Sequence, residues 1–263
     1  MAAPSREELL REEDEAVARA AIESDDPEEL AQVARRVPTI NEAPLLALAA
    51  KLDAVKCCQW LLAQPDVDPN LGKRKTTPIC AAAAAGAGRA VEALLRDGRA
   101  NPNAARMDGV TPLLIATQQR HLSVVRQLLL DRRTRCNSRA IYPLRITPLL
   151  LALRSGSPEA VHMLLDLGRD LDLAQNHYQR DSPLQIARDL GCSPSIERML
   201  LDFEATGAVH ADLARYLHLD EDPAAAAAAL ATAGTTKAMA AAAAAAAAGT
   251  GAEARLPDRR LPP

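Results

Sequence analysis

One short phrase, in which proline is followed by two mostly apolar residues, recurs five times and most constrains how this chain can fold. Its prolines are separated by 34, 34, 36 and 35 residues, so the spacing is nearly constant over a long stretch. A fixed period of this length is typical of stacked supersecondary units, each of which buries its apolar faces only against its neighbours. The five copies are Ala43-Pro44-Leu45-Leu46, Thr77-Pro78-Ile79-Cys80, Thr111-Pro112-Leu113-Leu114, Thr147-Pro148-Leu149-Leu150 and Ser182-Pro183-Leu184-Gln185.

Each copy predicts the start of a helix, because a hydroxyl before proline caps backbone amides and proline suits the first helical position. An alanine four residues after the proline predicts close packing of the next helix. A V-x-x-L-L stripe further on predicts a second, amphipathic helix. Gly98 and Gly168 are plausible C-caps of these second helices, and the remaining residues predict a hairpin-like finger leading to the next unit. The residues in step are Ala82, Ala116, Ala152 and Ala187; Val91, Val125, Val161 and Ile196; Leu94-Leu95, Leu128-Leu129, Leu164-Leu165 and Met199-Leu200; and Asn103 and Asn137.

This pattern resembles the ankyrin-repeat family. The best correspondence is the stretch 106–116, whose D-G-V-T-P-L matches the D-G-x-T-P-L opening of the family, and the resemblance covers five units across residues 41–205. It implies an all-α solenoid of stacked helix-turn-helix units with hairpin-like fingers. The histidine that usually follows T-P-L in the family is absent from every unit, so we expect apolar contacts at that step. The residues found there are Leu46, Cys80, Leu114, Leu150 and Gln185.

The flanking segments predict four parts in the chain. Residues 1–40 are expected to form acidic N-terminal helices that act as a degenerate capping repeat. Residues 41–205 hold the five repeats, and residues 206–222 are a candidate C-terminal capping helix. Residues 223–263 contain two runs of pure alanine, which supply little apolar area for a core, so we expect a low-complexity, disordered polyalanine tail.

Composition excludes several classes of function. No apolar stretch is long enough to suggest a membrane span, and the N-terminus lacks the apolar region of a secretory signal. The five cysteines have irregular spacing without C-x-x-C, which favours a reduced, intracellular setting, cytoplasmic with the nucleus left open. A net charge of −3 and an aromatic content of 2% argue against nucleic acid as the main partner.

Motifs for catalysis or cofactor binding are not found in the sequence. There is no P-loop, G-x-G-x-x-G, H-E-x-x-H, G-x-S-x-G or kinase motif, and the histidines lack metal-ligand spacing. We therefore expect a protein that is not an enzyme and has no cofactor and no metal site.

The resemblance implies that a partner protein binds the concave surface formed by the fingers and first helices. The fingers expected at 71–76, 104–110, 138–146 and 174–181 are rich in arginine, lysine and tyrosine, which are frequent interface anchors. An acidic protein segment would complement this basic rim, although basic fingertips are equally consistent with ordinary solvated loops. The candidate binding residues are Lys73, Arg74, Lys75, Arg106, Met107, Gln118, Gln119, Arg139, Tyr142, Arg145, His177, Tyr178 and Arg180, with Lys51 and Arg154 adding charge on the first helices.

The predicted function is a non-enzymatic protein–protein interaction module, acting as an intracellular scaffold or adaptor and monomeric by default. Two alternatives remain open at this point. One is a substrate-recognition subunit of a ubiquitin ligase or another regulatory complex, and the other is a nucleic-acid-associated transcriptional regulator.

Overall fold

The computed structural model describes residues 16–36, 45–72, 76–138, 146–169, 171, 173 and 182–221. Within these ranges the chain is helical and contains no β-strand, which confirms the predicted all-α fold. The predicted tail at 223–263 lies outside the described residues, as does the start of the acidic N-terminal segment.

The helices come in pairs. Residues 16–23 form α1, and the other helices are α2 (Pro27–Arg36), α3 (Leu45–Lys51), α4 (Val55–Leu62), α5 (Pro78–Ala85), α6 (Gly88–Asp97), α7 (Pro112–Gln118), α8 (Leu122–Leu130), α9 (Pro148–Ser155), α10 (Pro158–Leu167), α11 (Pro183–Asp189), α12 (Pro194–Thr206) and α13 (Ala214–Glu221). We call α3–α4, α5–α6, α7–α8, α9–α10 and α11–α12 units one to five.

The units stack in two parallel rows. The first helices α3, α5, α7, α9 and α11 pack each against the next, and the second helices α4, α6, α8, α10 and α12 do the same. The small residue predicted four positions after each proline lies in this packing, since Ala82, Ala116, Ala152 and Ala187 are fully buried. The stripe residues Val91, Val125, Val161 and Ile196 are also fully buried, so adjacent units share one continuous core.

Hydroxyl caps begin the first helices of units two to five, as the sequence predicts. The hydroxyl oxygen accepts a hydrogen bond from the backbone amide three residues later, at 3.2 to 3.4 Å, and proline occupies the first helical position. The capping residues are Thr77, Thr111, Thr147 and Ser182.

The second helices end differently at the two predicted glycine caps. Gly98 follows α6 in the left-handed conformation, with φ of 82°. Gly168 follows α10 with φ of −75°, so left-handed backbone is not what requires glycine there. A Cβ at Gly168 would lie 2.2 Å from the Leu164 carbonyl oxygen, so glycine is needed for close backbone approach.

Asparagine and arginine side chains join neighbouring units at the base of the fingers. The side-chain Nδ2 of Asn103 donates to the Arg133 carbonyl oxygen at 2.6 Å, and its Oδ1 accepts from the Arg135 backbone amide at 2.8 Å. Asn70 makes the equivalent pair of bonds to the Arg99 carbonyl and the Asn101 amide. These bonds fix the orientation of each unit on the next.

The last unit has a polar outer side. Gln185 and Arg188 of unit five occupy the positions equivalent to Leu150 and Leu153 of unit four. The two leucines are buried, whereas Gln185 and Arg188 are exposed. The residue after T-P-L is buried at Leu46, Cys80, Leu114 and Leu150, although the Cys80 thiol also donates to the Ala104 carbonyl oxygen. The expected apolar contact is wrong at the exposed Gln185, because no further unit packs against α11 among the described residues.

Helix α13 packs on α12 and completes its N-terminus. The Asp220 carboxylate accepts from the Ser195 amide at 2.9 Å and from the Ser195 hydroxyl at 2.8 Å. Tyr216 is buried, and its hydroxyl donates to the Asp202 carboxylate at 3.0 Å. Residues 214–221 therefore cover the second helix of unit five rather than extending away from the stack.

Candidate protein-binding face

The exposed sides of the first helices form a surface that we call the first-helix face. On each first helix the positions three, six and seven residues after the proline lie on one side, away from the second helices. The position at three is apolar in every unit, and the residues are Ala47, Ala81, Ile115, Leu151 and Ile186. Ile115 is buried and the other four are half-buried, so an apolar row crosses the face from unit one to unit five.

The positions at six and seven are exposed in units two, three and five, whereas Ala50 in unit one is buried and Ser155 in unit four is half-buried. They include the predicted binding residues Gln118 and Gln119 at the end of α7. Lys51 lies in the last turn of α3 and Arg154 in the last turn of α9, and both side chains are exposed. The face therefore has a polar, basic border along the C-terminal ends of the first helices.

The finger at 104–110 is a hairpin, as the sequence predicts. The Arg106 amide donates to the Val110 carbonyl, and the Gly109 amide donates to the Arg106 carbonyl, both at 3.0 Å. Gly109 has φ of 76°, which closes a tight turn with Met107 and Asp108 at its tip. Met107 is 73% exposed, so a large apolar side chain projects from this finger without packing against the chain.

Most of the predicted binding residues lie outside the described part of the chain. Of the predicted set, the structure places Arg106 and Met107 on the finger and Gln118 and Gln119 on the first-helix face. Those outside the described residues are Lys73, Arg74, Lys75, Arg139, Tyr142, Arg145, His177, Tyr178 and Arg180.

Two arginines between units are used structurally. The Arg133 guanidinium lies 2.7 Å from the Asp131 carboxylate and donates to the Gly98 and Ala100 carbonyl oxygens of the preceding unit. The side-chain hydrogen bond from Arg133 lowers the pKa of the Asp131 carboxyl. Arg99 forms an equivalent ion pair with Asp97. Their charges are therefore already compensated within the chain.

Cations along the first-helix border have no such partner. Among the residues that the structure describes, Lys51, Arg120 and Arg154 are exposed and make no side-chain hydrogen bond or ion pair. The border thus carries net positive charge that the described fold does not neutralise.

Arg120 is the residue that sequence reasoning missed. It follows α7 in the turn between the paired helices and has φ of 59°. The equivalent position is a glycine in units two, four and five, namely Gly86, Gly156 and Gly191. In unit one it is Asp53. An arginine in the left-handed region is strained, and the one available signal was its alignment with these glycines.

Cysteine and histidine side chains in the stack are buried or lie against backbone carbonyl oxygens, as four examples show. Burial raises the pKa of the Cys58 thiol to about 12 and that of Cys57 to about 11, so both remain protonated thiols at neutral pH. The His121 ring lies against Gly86, with Nε2 3.4 Å from the Ala84 carbonyl oxygen, and His162 is buried 2.7 Å from the His210 carbonyl oxygen. No cluster of metal-ligating side chains occurs among the described residues.

Comparison with known proteins agrees with this architecture. Residues 46–140 match the family model for ankyrin repeats in three copies, and residues 144–173 match a model for a further ankyrin repeat. Comparison with curated proteins finds no match. In the part of the chain that the structure describes, no helix is long and apolar enough to cross a membrane.

The matches cover units one to four. Unit five follows them in sequence, and its helices continue both rows by packing on α9 and α10. Ankyrin repeats indicate a protein–protein interaction module, and such domains are generally non-catalytic. The predicted family is thus confirmed: over residues 46–173 this chain belongs to the ankyrin-repeat family.

Proposed function

We propose that this protein is a non-enzymatic scaffold or adaptor that binds a partner protein on the first-helix face and the adjoining fingers. The observation that carries the proposal is the set of uncompensated cations on one side of the stack, beside an apolar row and the exposed tip of Met107. Arginine and methionine are both enriched in protein interfaces.

The stack favours binding through its rigidity. The first helices are held by their neighbours and, in units two to five, by a capped start, so the face is formed before a partner arrives. Little conformational entropy of the chain is then lost on association, which leaves more of the contact energy for affinity. The free cysteines suit the intracellular setting that we propose for this function.

A role as substrate-recognition subunit of a ubiquitin ligase needs a docking segment beyond unit five. Residues 214–221 are the nearest candidate, and their packing on α12 makes them less available for a second protein. A nucleic-acid-associated role draws support from the basic border but not from the overall charge of −3. Both are weaker than the adaptor proposal.

The test compares partner capture by the full chain and by variants with equal melting temperature. One variant replaces Arg106, Met107, Gln118 and Gln119 with alanine, and a second replaces Arg145, Tyr142 and Tyr178. The control replaces two exposed cations of the second helices, Lys56 and Arg126, with alanine.

We expect the first two variants to lose partners that the control retains. Equal recovery of every partner by all variants would show that the first-helix face and fingers are not the binding surface. Binding of labelled DNA or RNA with steep salt dependence would favour the nucleic-acid alternative instead.

A further inference from the structure

We infer that the first-helix face recognises an acidic amphipathic helix laid across the first helices, with its carboxylates along one flank. This inference rests on the proposed function and specifies the chemistry of the partner. It comes from three features of the described residues: the apolar row, the unpaired cations on one border, and the strained backbone of Arg120.

The backbone of the face favours a helical partner. The first helices satisfy their own amide and carbonyl groups, apart from the ends, so the face offers side chains rather than backbone hydrogen bonds. An extended segment crossing the apolar row would bury its own amides and carbonyls without partners, which is costly. A helix bonds its backbone internally and presents only side chains to the row.

The spacing of the row sets the pattern expected in the partner. Packed helices lie about 8–10 Å apart, and a helix advances about 10 Å in seven residues. A partner helix running from unit to unit would therefore meet successive apolar positions with every seventh residue. Ile115, Leu151 and Ile186 provide large apolar contacts in units three to five.

The charge of the border sets which flank is acidic. Lys51 and Arg154 lie in the last turn of their first helices, and Arg120 lies in the turn that directly follows α7, so all three are near the C-terminal ends of the first helices. The last turn of the first helix carries no charge in unit two, where the exposed Ala84 and Ala85 lie, and carries the exposed carboxylate of Asp189 in unit five. Carboxylates on one flank of the partner would face units one, three and four.

Arg120 supports this assignment independently of the row. Asp25 and Asp53 have φ of 52° and 56°, and their carboxylates bond the amides of Cys57 and Ala90 in the next unit. Arg120 has φ of 59° and makes no such contact within the described chain. Strain that the fold does not use is consistent with a side chain kept for an external ligand.

The test uses synthetic peptides of about 28 residues, which is four heptads, and the full chain. The first peptide has leucine at every seventh position and glutamate on one flank. The second replaces each of those glutamates with lysine, and the third has the composition of the first in scrambled order. Fluorescence anisotropy measures the Kd of each.

We expect the acidic helical peptide to bind about tenfold more tightly than either control, because two or three exposed ion pairs contribute. The double variant Arg120→Gly/Arg154→Ala should weaken its binding about tenfold. Arg126→Ala, which removes an exposed arginine from α8, should leave it unchanged. Arg120→Gly relieves backbone strain, so a loss of binding would not come from unfolding.

Equal binding of the acidic, basic and scrambled peptides would overturn the inference, as would equal effects of the double variant and Arg126→Ala. If the peptides show no preference while partner capture still depends on Arg106, Met107, Gln118 and Gln119, the proposed function stands and only the helical, acidic partner is wrong.

Discussion

The Asp53 carboxylate accepts a hydrogen bond from the Ala90 backbone amide at 2.8 Å, although the two residues are 37 positions apart in the chain. Asp53 belongs to the turn of unit one and Ala90 to the first turn of α6 in unit two. The second carboxylate oxygen accepts from the Arg89 side chain at 2.9 Å. One side chain thus closes a helix N-terminus in the neighbouring unit.

Replacing Asp53 with alanine should lower the free energy of unfolding by about 1–3 kcal/mol, because the Ala90 amide loses its acceptor. Asp53→Asn keeps an oxygen acceptor and should cost less. Urea denaturation with an unchanged m-value measures both effects. Equal stability of the alanine variant and the wild type would show that this bond does not hold the units together.

Two glycines at the same step of their units provide a matched pair. Gly86 and Gly156 have φ of 75° and 59°, so alanine at either should cost about 1–2 kcal/mol. At Gly86 the new Cβ would also lie 2.8 Å from Nδ1 of His121, whereas at Gly156 it meets nothing within 4 Å. We expect Gly86→Ala to lower the melting temperature more than Gly156→Ala. The reverse order would contradict the close approach of the His121 ring to Gly86.

Arg120→Gly should raise the free energy of unfolding by about 0.5 kcal/mol. Relief of about 1–2 kcal/mol of left-handed strain exceeds the roughly 0.5–1 kcal/mol that glycine costs in chain entropy. Arg120→Ala removes the same charge without relieving the strain, so it should not be stabilising. Chemical denaturation of the three proteins distinguishes these outcomes, and a destabilising glycine would mean that the arginine side chain supports the fold.

Leu128→Asp should cost about 4 kcal/mol or more, since Leu128 is fully buried between units and the carboxylate would have no partner. We expect loss of helical structure across units two to four by circular dichroism. Leu130→Asp on the same helix is the control, because Leu130 is 47% exposed and the substitution should change stability by about 0.5 kcal/mol or less. Similar melting curves for Leu128→Asp and the wild type would contradict the shared core.

The ion pair between Asp131 and Arg133 should contribute to stability in a defined pH range. The native pKa of Asp131 is lowered by Arg133, so its contribution is complete above the unfolded pKa near about 3.9 and is lost as the pH falls through the native value. The stability advantage of the wild type over Asp131→Asn should therefore be constant near neutral pH and shrink below about pH 4. An advantage that does not change with pH would rule out this linkage.

Local sequence patterns predicted the parts of the fold that depend on residues within one helix. The cap at Thr111, the buried Ala116 and the stripe of Val125 and Leu128 follow from spacing alone, and the structure confirms them. The bond between Asp53 and Ala90 could not be predicted in this way, because it joins residues that become neighbours only when two units stack.

For the candidate face, the sequence predicted the finger that presents Arg106 and Met107, since Asp108-Gly109 is a recognisable turn. It did not identify Arg120, because arginine by itself does not indicate a left-handed backbone and only the alignment with Gly86 and Gly156 pointed to one. The placement of Gln118 and Gln119 on the exposed side of α7 follows from helical periodicity.

Gln185 and Arg188 give the outer side of α11 a hydrophilic surface, and this has a consequence for the behaviour of whole molecules. If those two positions were leucines as in unit four, the last unit of one molecule would present an apolar surface to the first unit of another. Such a head-to-tail contact does not close, so assembly could continue without limit. We therefore expect these two side chains of unit five to disfavour end-to-end assembly into open filaments.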